Sequence, residues 1–190
     1  MILSLLSQCL CAQQFIVKAY DYNNGLISGA NNYTLQDSNG YYWICCYGGI
    51  VRFDGSSFKT FRNSEGLIHY NVLSIYERSR GNFIVCNQYS LLHFDGKQFK
   101  EFHTKLSKEI IFFNVQKLQN GKEVVVTNQT VLEIKNDSTL IPYAVHGNTL
   151  KQIFEFETKM LAITSNDHLF VLENGALQQD IILAPSMSIE

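Results

Sequence analysis

The sequence predicts an all-β protein, a partial β-propeller of about four four-stranded antiparallel blades. A Gly-Leu pair at residue 25 and a Phe-Asp-Gly triplet at residue 53 both recur 41 residues later. A repeat of about 40 residues that contains several short strands is typical of propeller blades. No window of useful length carries the apolar period of a helix, which favours the all-β interpretation.

The repeat continues in a weaker form through the rest of the chain. Residues 81–96 align without a gap on residues 121–136 at an offset of 40, and a further offset of 38 carries the apolar pattern to residue 172. One repeat position favours a small, fairly apolar side chain packed between sheets. It is occupied by Cys45, Cys86, Val126 and Thr164. We expect propeller repeats over residues 13–190, with blades at about residues 25–61, 66–102, 106–143 and 147–182.

Within each copy, short runs rich in Val, Ile, Tyr, Phe and Thr alternate with clusters of Gly, Asn, Asp and Ser, which is typical of strands and turns. In the second copy we predict strands at about residues 71–77, 82–87, 90–94 and 98–102. Residues 37–40 read Asp-Ser-Asn-Gly, a tight-turn sequence in which Asp and Asn bond the turn backbone and Gly takes a positive φ. We interpret its acidic residue, and that of Phe53-Asp54-Gly55, as turn formers rather than catalytic carboxylates.

Residues 1–12 resemble a secretory signal peptide. The first ten residues are apolar and lead into Cys11-Ala12, small residues suited to a cleavage site. The alternative is an ordinary buried segment, because no Lys or Arg precedes the apolar stretch. We expect export to the periplasm or the extracellular space.

Composition excludes several classes of function. A formal net charge of -2 and scattered Lys and Arg residues disfavour nucleic-acid binding. The cysteines lack zinc-site spacing, and no Gly-rich phosphate loop or nucleophile elbow is present. We expect no cofactor, no metal and no catalytic residue in this segment.

Two stretches of the first copies carry a more specific pattern. Residues 66–75 read Gly-Leu-Ile-His-Tyr-Asn-Val-Leu-Ser-Ile, and residues 37–46 read Asp-Ser-Asn-Gly-Tyr-Tyr-Trp-Ile-Cys-Cys. This pattern resembles the two-component regulator propeller repeat, whose copies contain Gly-Leu, Val-x-Ser-Ile, Asp-x-x-Gly and Leu-Trp-Ile-Gly-Thr. Cys45-Cys46 stands in place of the usual Gly-Thr, and Ile84 in place of the Trp.

The resemblance implies the exported sensor propeller of a hybrid histidine kinase or a related regulator. In such proteins the propeller faces the periplasm and senses ligands, often glycans, while a β-sandwich, a membrane helix and kinase modules follow. None of these signalling modules is found in residues 1–190. The resemblance therefore implies the N-terminal part of a two-component-type signalling protein, membrane-tethered if the full chain continues into a transmembrane helix.

The repeats also predict an incomplete ring. Residues 15–20 precede the first copy as residues 58–62 precede the second, so we expect an outer strand without its blade. Rings usually have more than four blades, and an open arc leaves apolar packing faces exposed. We expect further blades or signalling modules of the same chain, or another chain that closes the ring. Residues 185–190 would begin a fifth unit.

Candidate ligand-binding residues occupy one repeat position in the turns between the second and third strands of each copy. They are Tyr47, Gln88, Asn128 and Asn166. These turns emerge on the same face as the outer-to-inner connections, where amides and a tyrosine can hydrogen-bond and stack on a sugar or peptide. Asn and Gln are also common in surface turns for purely local reasons. We expect a small-molecule or oligosaccharide ligand on this face.

The sequence thus favours a ligand-sensing or interaction propeller. One alternative is a propeller-fold carbohydrate-active enzyme, a lyase or glycosidase, in which turnover would require Tyr47 or His69. Another is a scaffold whose repeats only dock other proteins. A fold cannot choose among these functions, because function resides in a site that the repeat pattern does not specify.

Overall fold

The computed structural model describes residues 17–102, 109–136, 139–145, 150–156, 159–164, 168–173 and 176–182. The predicted signal peptide at residues 1–12, the predicted fifth unit at residues 185–190 and the candidate residue Asn166 lie outside the described residues.

The described residues form sixteen strands in four antiparallel four-stranded sheets, each with its strands in chain order. Blade 1 comprises β1 (Asn31–Gln36), β2 (Tyr42–Cys46), β3 (Gly49–Phe53) and β4 (Phe58–Phe61). Blade 2 comprises β5 (Val72–Ser79), β6 (Asn82–Asn87), β7 (Leu91–Phe94) and β8 (Phe99–Glu101). Blade 3 comprises β9 (Phe112–Lys117), β10 (Glu123–Thr127), β11 (Thr130–Asn136) and β12 (Thr139–Val145). Blade 4 comprises β13 (Leu150–Phe156), β14 (Lys159–Thr164), β15 (His168–Glu173) and β16 (Ala176–Ile182).

The predicted all-β, four-blade architecture is confirmed. In blade 2 each strand begins and ends within two residues of the predicted limits. Residues 17–20 differ, since they form no strand and no described strand pairs with them. An isolated segment cannot acquire strand hydrogen bonds without a neighbour. Among the described residues, no helix is long and apolar enough to cross a membrane.

The turn chemistry is as predicted. Asp37 accepts hydrogen bonds through Oδ1 from the backbone N–H groups of Asn39 at 2.9 Å and Tyr41 at 3.0 Å. Gly40 closes this turn with φ +86°. Asp54 likewise accepts from the backbone N–H of Ser57 at 2.7 Å. Both acidic side chains therefore build hairpins.

Apolar side chains fill the spaces between successive blades. Between blades 1 and 2 the indole ring of Trp43 lies 5.4 Å from the ring of Phe61 and 4.7 Å from that of Phe83, centroid to centroid. Cys45 belongs to this cluster, and Cys86 belongs to the next one, between blades 2 and 3. Both are buried, free thiols, as expected for packing residues. Blade-on-blade packing supplies the apolar burial that a lone four-stranded sheet lacks.

The register of blade 4 corrects one detail of the repeat alignment. Cys86 pairs with Leu91 and Val126 with Val131, each closing a turn of four residues. In blade 4 the equivalent pair is Ile163 with Leu169, which encloses five residues. Ile163, and not Thr164, therefore occupies the position shared by the two cysteines. The extra residue in the turn shifts the preceding strand by one position, and such a shift exchanges the two faces of a strand.

Candidate functional site

The turns between second and third strands meet the outer-to-inner connections on one face of the blades, which we call the turn face (residues 47–48, 62–71, 87–90, 109–111 and 127–129). Tyr47 of blade 1 forms an isolated antiparallel bridge with Asn71, which directly precedes β5. The backbone N–H of Gln88 donates to the carbonyl of the same Asn71 at 3.1 Å. Tyr47 and Gln88, two of the predicted site residues, thus flank Asn71 on either side.

Each innermost strand carries a β-bulge close to the turn face. The register shifts fall between residues 31 and 33, 72 and 74, 112 and 114, and 150 and 152. A bulge adds one residue to a strand and redirects its side chains. In blade 1 the added residue is Asn32, whose Nδ2 donates to Asn71 Oδ1 at 3.1 Å and to the carbonyl of Val72 at 2.7 Å. The bulge therefore links the first two blades.

A chain of side-chain amides follows from this geometry. Asn71 accepts from Asn32, and its own Nδ2 donates to Gln88 Oε1 at 3.1 Å. Gln88 Nε2 in turn reaches the hydroxyl of Tyr89 at 2.8 Å. Sequence reasoning missed Asn32, Asn71 and Tyr89. The equivalents of Asn71 are Ala30 and Ile111, so no repeat signal marks this position.

Three exposed tyrosines surround the amide chain. The exposed fractions are 70% for Tyr47, 50% for Tyr70 and 51% for Tyr89. The hydroxyl of Tyr70 accepts from Asn63 Nδ2 at 3.1 Å, and the ring of His69 lies edge-on to that of Tyr89 at 6.0 Å. These rings offer apolar faces and polar rims at the same surface, a combination common at binding sites.

The other two predicted site residues, Asn128 and Asn166, are not part of the amide chain that the structure describes around Asn71. Asn128 lies in blade 3, where its Oδ1 accepts from the backbone N–H of Ile111 at 2.9 Å and its Nδ2 donates to the carbonyl of Glu109 at 3.3 Å. Its amide therefore anchors the connection that precedes β9. Asn166 lies outside the described residues.

The amide chain and its three tyrosines are polar but carry no charged side chain. The six residues are Asn32, Tyr47, Tyr70, Asn71, Gln88 and Tyr89. Charged residues lie elsewhere on the turn face, at Arg62, Glu65 and Glu109. Within the part of the chain that the structure describes, no group of three or more His, Cys, Asp or Glu side chains could hold a metal ion. The strongly perturbed groups lie elsewhere: burial raises the pKa of the Cys86 thiol to about 12, between blades 2 and 3.

Comparison with known proteins places this geometry among propellers. No protein-family model and no curated protein matches the chain. Among solved structures it is similar to the extracellular domain of a protein described as a hybrid two-component system from B. thetaiotaomicron, with a TM-score of 0.69 and 17% identity over 90% of this chain and 25% of that one. It is also similar to virginiamycin B lyase from Staphylococcus aureus, with a TM-score of 0.64 and 11% identity over 80% of this chain and 55% of the lyase.

A third similar structure is the WD40 β-propeller domain of Doa1, with a TM-score of 0.55 and 8% identity over 77% of this chain and 52% of that one. The chain spans about a quarter of the length of the two-component domain and about half of the other two. The structure thus shares its propeller fold with the extracellular domains of two-component systems, in agreement with the resemblance carried by the first two repeats.

Proposed function

We propose that this chain is the ligand-sensing propeller of a two-component-type signalling protein, exported to the periplasmic or extracellular side, and that its turn face binds a neutral oligosaccharide. The observation that carries the proposal is the set of three exposed tyrosines beside a continuous chain of amides. Likeness in fold to extracellular domains described as parts of two-component systems supports the same role.

The chemistry of the site matches that of a neutral sugar. The C–H face of a pyranose is apolar and packs on an aromatic ring, while its hydroxyl groups both donate and accept hydrogen bonds. Tyr47 and Tyr89 supply exposed rings, and Asn71 and Gln88 supply amides that can do both. The amide chain and its three tyrosines include no cation that would pair with a phosphorylated or acidic ligand, and Arg62 lies outside this set on the turn face.

Binding to an array of neutral oligosaccharides of glucose, xylose, mannose and galactose, followed by titration calorimetry of any hit, tests the proposal. Tyr47→Ala should weaken binding about tenfold, because loss of an aromatic anchor at a binding site costs about 1–2 kcal/mol. Its melting temperature should stay within about 2 °C of the parent, since the ring is 70% exposed.

Two control variants sharpen the test. Tyr42→Ala removes a tyrosine that is 43% exposed but lies on another surface, and it should leave affinity unchanged. Asn128→Ala removes the amide that holds the backbone of residues 109 and 111, so it should lower stability and leave affinity unchanged. Equal effects of Tyr42→Ala and Tyr47→Ala on affinity would contradict the site.

A second candidate function is enzymatic, because two of the similar structures are described as a streptogramin B lyase and a virginiamycin B lyase. An enzyme would convert the bound ligand to product, and Tyr47→Ala or His69→Ala would abolish product formation. A sensor would return every bound oligosaccharide intact. Mass spectrometry of the ligand after overnight incubation separates the two functions.

A further inference from the structure

Two hairpins meet at the end of blade 1 that lies opposite the turn face, and we call residues 37–41 and 54–57 its hairpin end. Near this end, one diagonal pair of side chains recurs in the first three blades, with its second member on the third strand. The pairs are Tyr41 with Arg52, Asn82 with His93, and Lys122 with Glu133. One repeat position thus shows how three different polar side chains are paired in similar surroundings.

In blades 2 and 3 the pair is closed by polar contacts within the blade. His93 Nε2 lies 2.7 Å from Asn82 Oδ1. The Glu133 carboxylate lies 3.3 Å from Lys122 Nζ and 2.6 Å from Lys135 Nζ. These side chains have the partners that a polar group needs once it is removed from water.

Arg52 of blade 1 has no such polar partner. Its Cζ lies 4.6 Å from the centroid of the Tyr41 ring and 5.8 Å from that of the Trp43 ring, so two aromatic rings support the half-buried guanidinium. Among the residues that the structure describes, this guanidinium makes no hydrogen bond and no ion pair. The rings hold the group in place and leave its planar fork of N–H donors without acceptors.

A second cation lies directly opposite Arg52. Lys59 is the strand partner of Arg52 on β4. Its Nζ lies 4.9 Å from the centroid of the Phe61 ring, which is stacked on the Trp43 ring at 5.4 Å. Both cations therefore stand over one continuous aromatic surface. Like charges directly opposite each other on two strands are destabilising, so an anion bound by both would relieve their repulsion.

The two carboxylates of this hairpin end are bound by neutral donors. Asp37 accepts from the indole N–H of Trp43 and from two backbone N–H groups. Asp54 accepts four hydrogen bonds from residues 56–57, at 2.7 to 2.8 Å. In blade 2, by contrast, the equivalents of Lys59 and Asp54 form an ion pair, with Nζ 3.9 Å from Oδ2. Within the described part of blade 1, the cations thus lack the carboxylate partner that the repeat provides one blade later.

We propose that Arg52 and Lys59 form a binding site for an oxyanion, the carboxylate or phosphate group of a small molecule, at the hairpin end of blade 1. The planar fork of Arg52 matches two oxygens of such a group, and the ammonium of Lys59 binds the same group as a point charge. Because the rings already restrict the guanidinium, little side-chain freedom is lost on binding. The site lies at the other end of the blade from Tyr47 and stands independently of the proposed oligosaccharide site.

Three matched sugars test the proposal. Glucuronate carries a carboxylate, glucose 6-phosphate carries a phosphate, and glucose carries neither. Trp43 is the only tryptophan of the chain and lies against Arg52, so a titration of its fluorescence at constant ionic strength gives the dissociation constant. At about 100 times that constant, the charged sugar that binds should raise the melting temperature by about 5 °C or more, whereas glucose at the same concentration should not. The responding sugar identifies the group, and no response to either charged sugar would overturn the proposal.

Three substitutions locate the site. Arg52→Gln and Lys59→Gln should each weaken binding of the responding sugar at least about tenfold, because each removes a hydrogen bond to a charged group. Lys100→Gln is the matched control: it removes the blade 2 equivalent of Lys59, which is paired with Asp95, and should leave affinity unchanged.

A second readout separates ligand binding from a purely structural role of the two cations. Without ligand, the melting temperature of Lys59→Gln should stay within about 2 °C of the parent or rise, because the substitution removes a like-charge pair. A larger fall would show that Lys59 serves to pack on Phe61, and the assignment would be wrong. Equal losses of affinity in Lys59→Gln and Lys100→Gln would also contradict the site.

Discussion

Substitution of Asp37 by Ala should destabilise the protein by about 3 kcal/mol, although the residue lies in a surface hairpin. Asp37 is 6% exposed, and its Oδ2 accepts a hydrogen bond from the indole N–H of Trp43 at 2.7 Å. Its Oδ1 accepts from the backbone N–H groups of Asn39 and Tyr41. The carboxylate thus joins the first hairpin to the packing between blades 1 and 2.

The magnitude follows from these three donors. Trp43 is 2% exposed, so its indole N–H would stay buried without a partner, at a cost of about 1–3 kcal/mol. The two turn N–H groups are only partly buried and can turn to water, at about 0.5 kcal/mol each. Trp43→Phe keeps the aromatic packing and removes the donor, so a double-mutant cycle isolates the bond between Asp37 and Trp43, with an expected coupling energy of about 1.5–2 kcal/mol.

Urea unfolding followed by far-UV circular dichroism measures all four proteins of the cycle. Fluorescence is unsuitable, because Trp43 is the only tryptophan of the chain. The slope of the free energy of unfolding against urea concentration should be the same in all four proteins. An equal slope shows that the substitutions do not change the surface area that unfolding exposes. A coupling energy below about 0.5 kcal/mol would refute the argument that the Asp37 carboxylate holds the indole N–H in place.

Three further predictions concern other parts of the fold. Gly66→Ala should lower the free energy of unfolding in urea by at least about 3 kcal/mol, because φ is +89° and a Cβ would lie 2.6 Å from the carbonyl oxygen of Phe99. Gly40→Ala is the control: φ is +86° there but nothing lies within 4 Å of the added Cβ, so the loss should be only about 1 kcal/mol. Equal losses in the two variants would contradict this. Burial raises the pKa of the Cys86 thiol from 9.0 to about 12, so the folded state holds the thiol proton more tightly than the unfolded state. The free energy of unfolding should therefore fall as pH rises from about 9 towards 12, and Cys86→Val should reduce that fall. An unaltered dependence on pH in Cys86→Val would contradict this role of Cys86. Hydrogen bonds from Ser57 and Ser56 lower the pKa of Asp54 below its ordinary value of 3.8. The stability that the Asp54 carboxylate contributes is therefore present above about pH 4 and is lost in stronger acid. Asp54→Asn should make the urea midpoint less sensitive to pH between about 4 and 2, and an unchanged sensitivity would contradict this.

Much of the fold could be predicted because the relevant signals are local. The Asp-Ser-Asn-Gly turn at residues 37–40 places hydrogen-bond acceptors and a positive-φ glycine within four residues, so its conformation depends on few distant contacts. The 41-residue spacing repeats the positive-φ glycine at residue 81, whereas Arg78 stands at the position of Asp37. Strand limits in blade 2 consequently agree with the predicted ones to within two residues.

The alignment of the fourth copy could not be settled in the same way. Both Ile163 and Thr164 suit a strand, so the residue types do not show that the turn before Leu169 is one residue longer. Only the hydrogen-bonded pairing of Ile163 with Leu169 establishes which face each residue occupies. An insertion in a loop leaves no apolar signature, whereas it exchanges the faces of a whole strand.

The candidate site was likewise predicted only in part from the sequence. Repeat position predicted Tyr47, Gln88 and Asn128 alike as ligand-binding residues. The structure places Tyr47 and Gln88 on either side of Asn71, whereas the amide of Asn128 bonds the backbone of residues 109 and 111. Asn71 has no counterpart of its type in the neighbouring copies, so periodicity could not point to it.

By itself the sequence determined that this protein is a β-propeller with four recognisable blades, because strand alternation, turn residues and repeat length act over short distances along the chain. Only the tertiary structure decided which side chains form the turn face. The bond from Asn32 to Asn71 joins residues 39 apart in sequence, and it exists because a bulge in β1 turns one amide towards the next blade.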